Sequence, residues 1–421
     1  MSTIGNGKIR AEEVVARCRA MASFSQDANS IRRTFLSPPM RDCHRALGKW
    51  LVEAGAEVTV DAAGNLRAFY AAKEPRAPRL LLGSHLDTVP NAGAYDGVLG
   101  VVVAVALLEG LRGRRLPFAI EVVGFSEEEG VRFGMPFIGS RALVGRLDEE
   151  VLNCRDADGV SIRTAIKDFG LDPAEIPRAV LKADTLAYLE FHIEQGPVLE
   201  SLGRPLGVVE AIAGQTRMEI TFLGRANHAG TTPMHLRRDA IAAAAEWIIA
   251  VERSAQVDPG LVATVGQMEA RPGATNVIAG EARVSLDLRH RSDDTRLRAA
   301  RLLVGLAEEI AARRGLTLRR SELLSQPAVD MDSFLIHEIE EAMRKRGCQP
   351  HRMVSGAGHD AMILSEKVPV AMIFLRTPGG ISHDPAESVE TGDVAKSLEC
   401  GFELLDQLAS SSGFHERVSR A

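Results

Sequence analysis

The chain has no apolar run long enough to span a membrane. The longest, Val98 to Leu108, stops at Glu109, short of the roughly 20 residues a membrane helix needs, and reads as a buried helix. Met1 to Arg10 shows neither an apolar core nor a cleavage pattern of the export type, so a cytoplasmic location is expected. Cysteine is scarce. Cys18, Cys43, Cys154, Cys348 and Cys400 are an odd set without a C-x-x-C pair, which excludes a disulfide framework and a thiolate zinc site. Basic residues form no run and the net charge is -6, so no nucleic-acid footprint is present and a small-molecule partner is expected. Internal repeats and low-complexity linkers are also lacking. What remains is an ordinary folded composition, 45% hydrophobic and 25% charged over 421 residues, sufficient for two or three domains.

Apolar strand-like runs alternate with helical periods through the first half, which predicts an α/β layer structure. Leu80 to Gly83, Ala119 to Phe125, Leu186 to His192 and Val368 to Phe374 read as buried strands, and Gly97 to Leu111 as a helix covering them. Between the third and fourth strands the rhythm changes. Arg217 to Leu223, Leu261 to Met268 and Ala282 to Arg289 read as strands, with helices at Arg238 to Arg253 and Thr295 to Arg314. This predicts a compact α+β module over residues 213–328, inserted into a domain made of residues 1–212 and 329–421.

Chemistry-bearing residues collect where the predicted core strands end. The first strand runs into His85, Asp87 and Asp96, the second into Glu127, Glu128 and Glu129, the third into His192 and the fourth into His383. Ligands in open α/β sheets bind at that edge. Taken singly, each has a plain alternative: Asp96 as the cap of the following helix, the glutamates as a solvated loop, each histidine as a strand end. Together they supply imidazole and carboxylate donors without thiolate, the set that suits two divalent cations joined by a bridging carboxylate. A further carboxylate free of metal would move the water's proton.

Five segments carry a resemblance: H-L-D followed eleven residues after its His by D-G, E-E-E-G, F-H-I-E-Q-G-P, G-R-A-N-H-A-G-T-T-P-M and G-I-S-H-D-P-A-E. From about Ala11 to Leu405 the chain resembles the ureido-hydrolase branch of the dinuclear M20 metallopeptidase family. That branch contains N-carbamoyl-L-amino-acid hydrolases, allantoate amidohydrolases and β-alanine synthases. The resemblance implies a catalytic domain with a mixed sheet flanked by helices, and an inserted α+β domain that serves as dimerisation interface and lid. It implies two divalent ions per subunit, zinc first with manganese or cobalt as alternatives, and a homodimer. The implied reaction cleaves the carbamoyl C–N bond of allantoate or an N-carbamoyl-L-amino acid, releasing ammonia and carbon dioxide. The alternative is an M20 aminoacylase or dipeptidase acting on an ordinary amide.

Residue by residue, the resemblance implies His85 and His192 on one metal, Asp96 bridging, and a glutamate with His383 on the other, with Asp87 orienting the His85 ring. The glutamates allow two registers: Glu127 as base with Glu128 as ligand, which the family spacing matches, or Glu128 with Glu129. His228, expected to reach the substrate carbonyl across a dimer interface, is the implied oxyanion stabiliser. Gln195, Asn276, Arg289 and Gly358 match substrate-contacting positions, Arg289 as the carboxylate clamp. His359 and Asp360 read as braces of the loop that contains Gly358.

Overall fold

Ala119–Phe125 and Thr185–Ile193 are buried at every residue, the condition of strands covered on both faces. In a computed structural model, which describes residues 4–411 and 413–414, they belong to a nine-stranded mixed sheet. Its main path runs Glu57–Val60, Leu66–Tyr70, Ala119–Phe125, Arg79–His85, Thr185–Ile193, Val370–Leu375, Leu206–Ile212. The four strands from Ala119–Phe125 to Val370–Leu375 are mutually parallel. Antiparallel neighbours flank them on both sides. The helix Val98–Leu111 is apolar nearly all round and packs on the sheet with one face and on the helices Ile4–Ala22, Pro38–Glu53 and Thr391–Ser410 with others, as a helix without a polar stripe must. The fold class is therefore α/β with helices flanking a mixed sheet.

The chain divides into two compact units, one comprising residues up to Glu210, Met331–Met353 and those from Gly358 onward, the other Ala211–Asp330 with Val354–Ala357. The second unit is a five-stranded antiparallel sheet centred on Glu281–His290 and Gly214–Leu223. Alternate residues Ala282, Val284, Leu286 and Leu288 point into a core with Trp247, Leu303 and Ile310 from the helices Ala240–Val257 and Asp293–Arg313. Both helices start at side-chain caps, Asp239 and Ser292. Two details differ from the sequence reading. The predicted strand Leu261 to Met268 is two short strands, Val262–Thr264 and Met268–Arg271, and a further edge strand, Thr317–Gln326, pairs with Gly214–Leu223. That strand carries mostly exposed polar residues, so it shows no apolar alternation. Among the described residues no helix is long and apolar enough to cross a membrane.

Candidate metal and active site

Because four central strands are parallel, their C-terminal ends share one edge. His85 closes its strand in register with Phe125, and Ser126 to Glu129 follow directly. His192 lies opposite Phe374, whose strand leads into the loop holding His383. Asp96 arrives from the loop between His85 and the covering helix. The residue at that helix's cap position is Gly97, and no side chain caps the helix, so the Asp96 carboxylate is left for another purpose. Gly97 adopts φ 66, and a Cβ there would lie 2.5 Å from the His85 ring; only glycine lets this turn close over the imidazole.

Four donor sets adjoin one another, His85 with Glu128 and Glu129, Glu190 with His192 and His359, and two that share Asp96. Its Oδ1 lies 3.3 Å from His192 Nε2 and 3.7 Å from His85 Nε2, and the two Nε2 atoms are 3.4 Å apart. His85 Nδ1 is 3.1 Å from the Asp87 carbonyl and His192 Nδ1 2.9 Å from the Ile193 carbonyl. Each Nδ1–H thus donates to a carbonyl, leaving the Nε2 lone pair facing Asp96. Asp96 Oδ1 is buried without a hydrogen-bond partner. Three lone-pair donors converging out of water fit a cation and are costly without one. In the second of the sets that share Asp96, His383 Nε2 is 3.1 Å from Asp96 Oδ2 and 3.3 Å from Glu129 Oε1. In each set the ligand atoms lie within 4.8 Å of one another.

Against burial, Asp87 and Asp96 hold the His85 imidazole well above its ordinary value. Burial drives the His192 imidazole down to about 4. His383 is held up to about 10, first by Asp96 and then by Glu129. Burial works against the Asp96 charge, yet His383 and His85 keep its carboxyl well below the usual range. Burial, with Glu129, Asp360 and Asp87 adding to it, pushes Glu128 well above the ordinary carboxylate range against the pull of His85. A raised, buried carboxyl beside a donor cluster suits a group that exchanges a proton.

The glutamates are sorted by a bend that the sequence does not reveal. Asp87 Oδ1 accepts the Glu128 N–H at 2.9 Å and Oδ2 the Glu129 N–H at 3.1 Å. Thus Asp87 orients the carboxylate loop as well as standing 3.4 Å from His85 Nδ1. With the backbone so turned, Glu129 joins Asp96 and His383, and Glu128 stands with His85 and Glu129. Glu127 joins neither set. Its Oε2 accepts the Phe35 N–H at 3.0 Å, its Oε1 is buried without a hydrogen-bond partner, and burial, with Asp87 adding to it, pushes its carboxyl well above the ordinary range. Of the two registers left open, the one with Glu128 and Glu129 has both carboxylates grouped with the donors, while Glu127 lies against the Phe35 backbone.

Gln195, at φ 57, donates from Nε2 to Asp96 Oδ2 at 2.9 Å and so reaches the same centre. His359 packs edge-on against His192, ring centroids 4.6 Å apart, and Asp360 is buried beside it. Gly358 precedes the short helix Asp360–Leu364. In the second unit, Asn227 and His228 pair with Val277 and Ile278, and the Asn276 carbonyl accepts the Ala229 N–H at 2.9 Å. His228 Nδ1 accepts from Gly230 N at 3.1 Å, which puts its proton on Nε2 of an exposed ring. Arg289 is held in a fork by Asp287, at 2.8 Å and 3.0 Å. Glu129, Glu190 and Glu387 are site residues that the sequence left unassigned or ambiguous: Glu129 belongs to two donor sets and Glu190 to one, and Glu387 accepts the Asp96 N–H at 3.1 Å.

A buried set of imidazole and carboxylate donors on the C-terminal edge of a parallel sheet is the mark of a metal-dependent hydrolase. The chain belongs to peptidase family M20/M25/M40, whose model matches residues 81–411. It is 40% identical over 387 residues to N-carbamoyl-L-amino acid amidohydrolase of Geobacillus stearothermophilus, covering 91% of this chain and 95% of that one. It is 36% identical over 436 residues to allantoate deiminase 2 of Glycine max, covering 96% and 90%. The crystal structure of an amidase of the hydantoinase/carbamoylase family from Burkholderia multivorans superimposes with a TM-score of 0.89 at 30% identity, over 94% of this chain and 97% of that one.

Proposed function

We propose that the protein hydrolyses the carbamoyl C–N bond of a small ureido carboxylate, allantoate or an N-carbamoyl-L-amino acid, giving the free amine, ammonia and carbon dioxide. The observation that carries this reading is the pair of donor sets sharing Asp96, with Glu128 beside them. His85, His192 and Asp96 Oδ1 would hold one divalent cation, and His383, Glu129 and Asp96 Oδ2 the other; zinc suits these ligands first, and manganese or cobalt are alternatives. When bound, such a pair polarises the ureido carbonyl and acidifies water. Glu128 takes the proton of the attacking water and returns it to the departing nitrogen. Asp87 keeps Glu128, Glu129 and His85 in place, and Gln195 lies within reach of a ureido group at Asp96. His228, whose Nε2–H is free to donate, is assigned to the carbonyl oxygen as it gains charge. We assign it to the neighbouring subunit of a homodimer. Arg289, Asn276 and the backbone at Gly358 are assigned to the substrate, Arg289 to its carboxylate.

Ammonia release from allantoate, ureidoglycolate, N-carbamoyl-β-alanine and N-carbamoyl-L-methionine tests the proposal. Turnover of at least one is expected. Hydrolysis of dipeptides with all four untouched would overturn it in favour of an ordinary amidase.

A further inference from the structure

The shared carboxylate is carried by an irregular loop, so something must fix the backbone at Asp96. Glu387, which is 5% exposed, accepts the Tyr95 N–H at 2.8 Å and the Asp96 N–H at 3.1 Å, both on Oε1. Its Oε2 is 3.3 Å from Ser382 Oγ, and that hydroxyl is also 3.3 Å from Asp96 Oδ2. Ser382 neighbours His383. One buried carboxylate therefore binds the backbone of the bridging ligand on one side and the loop of a second ligand on the other, across 291 residues of sequence. The loop is shaped to admit it: a Cβ on Gly93 would come within 2.4 Å of both Glu387 Cβ and Oε1, closer than side-chain atoms approach.

We infer that Glu387 is a positioning residue that sets the spacing between Asp96 and His383 and so completes the donor set they form with Glu129. It belongs to none of the donor sets. Two backbone N–H groups converging on one carboxylate oxygen are charge-assisted and directional, so they define where the Asp96 Cα sits, and the Ser382 bridge defines where His383 begins. Displacing Asp96 by a fraction of an ångström would leave His85 and His192 facing each other but would pull Oδ2 away from His383 and Glu129. Ligand-supporting partners of this kind typically change metal affinity by about 10- to 100-fold when removed.

The inference rests on the donor sets described above, and its test reads metal binding directly, without substrate. Purified full-length protein is stripped with chelator and titrated with Mn2+, followed by calorimetry and by electron paramagnetic resonance. Wild type is expected to bind two equivalents with a spin-coupled signal. Glu387→Ala is expected to bind the second equivalent at least tenfold more weakly and to lose the coupled signal. Glu387→Gln, which keeps an acceptor oxygen for both N–H groups and an amide to pair with Ser382, is expected to restore both within about threefold. Where the alanine variant fails to fold, Glu387→Asp, one methylene too short to reach the loop, is read in its place with the same expectation. A folded Ala or Asp variant with both equivalents and the coupled signal unchanged would overturn the inference, as would a Gln variant no better than Ala. A wild type that binds two coupled ions yet hydrolyses none of the ureido substrates would overturn the proposed function and leave the role of Glu387 standing.

Discussion

At the residue scale three adjacent glutamates, Glu127, Glu128 and Glu129, meet different surroundings. Burial and a neighbouring carboxylate raise the proton affinity of both Glu127 and Glu128, but only Glu128 stands with His85 and Glu129, whereas one Glu127 oxygen is taken by the Phe35 N–H. Glu128→Gln keeps shape and hydrogen bonding but cannot carry the proton, so kcat is expected to fall by about 10²- to 10⁴-fold, the usual worth of a general base, with metal content unchanged. Glu127→Gln still offers an oxygen to the Phe35 N–H and is expected to stay within about tenfold of wild type, because it loses only charge assistance at a structural bond. Steady-state kinetics with metal analysis on both variants decides the register; abolished turnover in Glu127→Gln with an active Glu128→Gln would reverse it. The residue types were legible in sequence: His85 and His192 stand at strand ends, and Asp96 and His383 in the loops that follow core strands, where the chemistry of an α/β sheet collects. Their order within E-E-E was not, because Asp87 turns that segment by accepting two N–H groups from across the edge, a tertiary contact with no local signature.

At the scale of elements, the central strands and their covering helix were readable because they are apolar throughout, whereas Thr317–Gln326 was not, being an edge strand with a solvent-facing polar sequence. The helix Pro38–Glu53 also escaped the sequence reading, although Met40, Cys43, His44, Leu47 and Leu51 make a regular buried face. A histidine and a cysteine within that face blur its apolar stripe. His44 has a consequence for pH. Its ring packs edge-on to Phe169, its Nε2 has no hydrogen-bond partner among the described residues, and burial, with Arg33 and Arg41 adding, pushes it down to about 4. The unfolded chain takes up this proton near pH 6.5. Above that value both states are neutral and nothing is lost. Between about 6.5 and about 4 only the unfolded state binds the proton, so stability falls as pH falls and levels off below the folded value. His44→Leu removes the titration while keeping an apolar side chain. Urea unfolding of metal-free protein is expected to show a loss between about pH 7 and about pH 4.5 that is smaller in the variant by roughly 2 to 3 kcal/mol. Equal losses in the two proteins would show that the folded state protonates His44 freely.

At the scale of the whole molecule, the donors come from four separate segments, at residues 85–96, 128–129, 192 and 383, with the residues of the second unit lying between the last two in sequence. Cations bound between these segments would bind the folded chain and not the unfolded one, so their binding free energy adds to stability, by about 2.7 kcal/mol per site when the ion is at 100 times its Kd. Removal does more than withdraw that contribution: it leaves buried carboxylates and imidazole lone pairs facing one another. Dialysis against chelator is therefore expected to lower Tm by about 3 °C or more, and added zinc or manganese to restore it. The sharing of Asp96 makes this prediction specific. Asp96→Ala removes an oxygen from both sets and is expected to abolish the metal-dependent rise in Tm. His85→Ala and His383→Ala each damage one set and are expected to keep part of it. Differential scanning of the four proteins, with and without metal, reads all of these at once. If Asp96→Ala retained as much metal-dependent stabilisation as either histidine variant, the two sets would be independent sites and the carboxylate would not be the link between them.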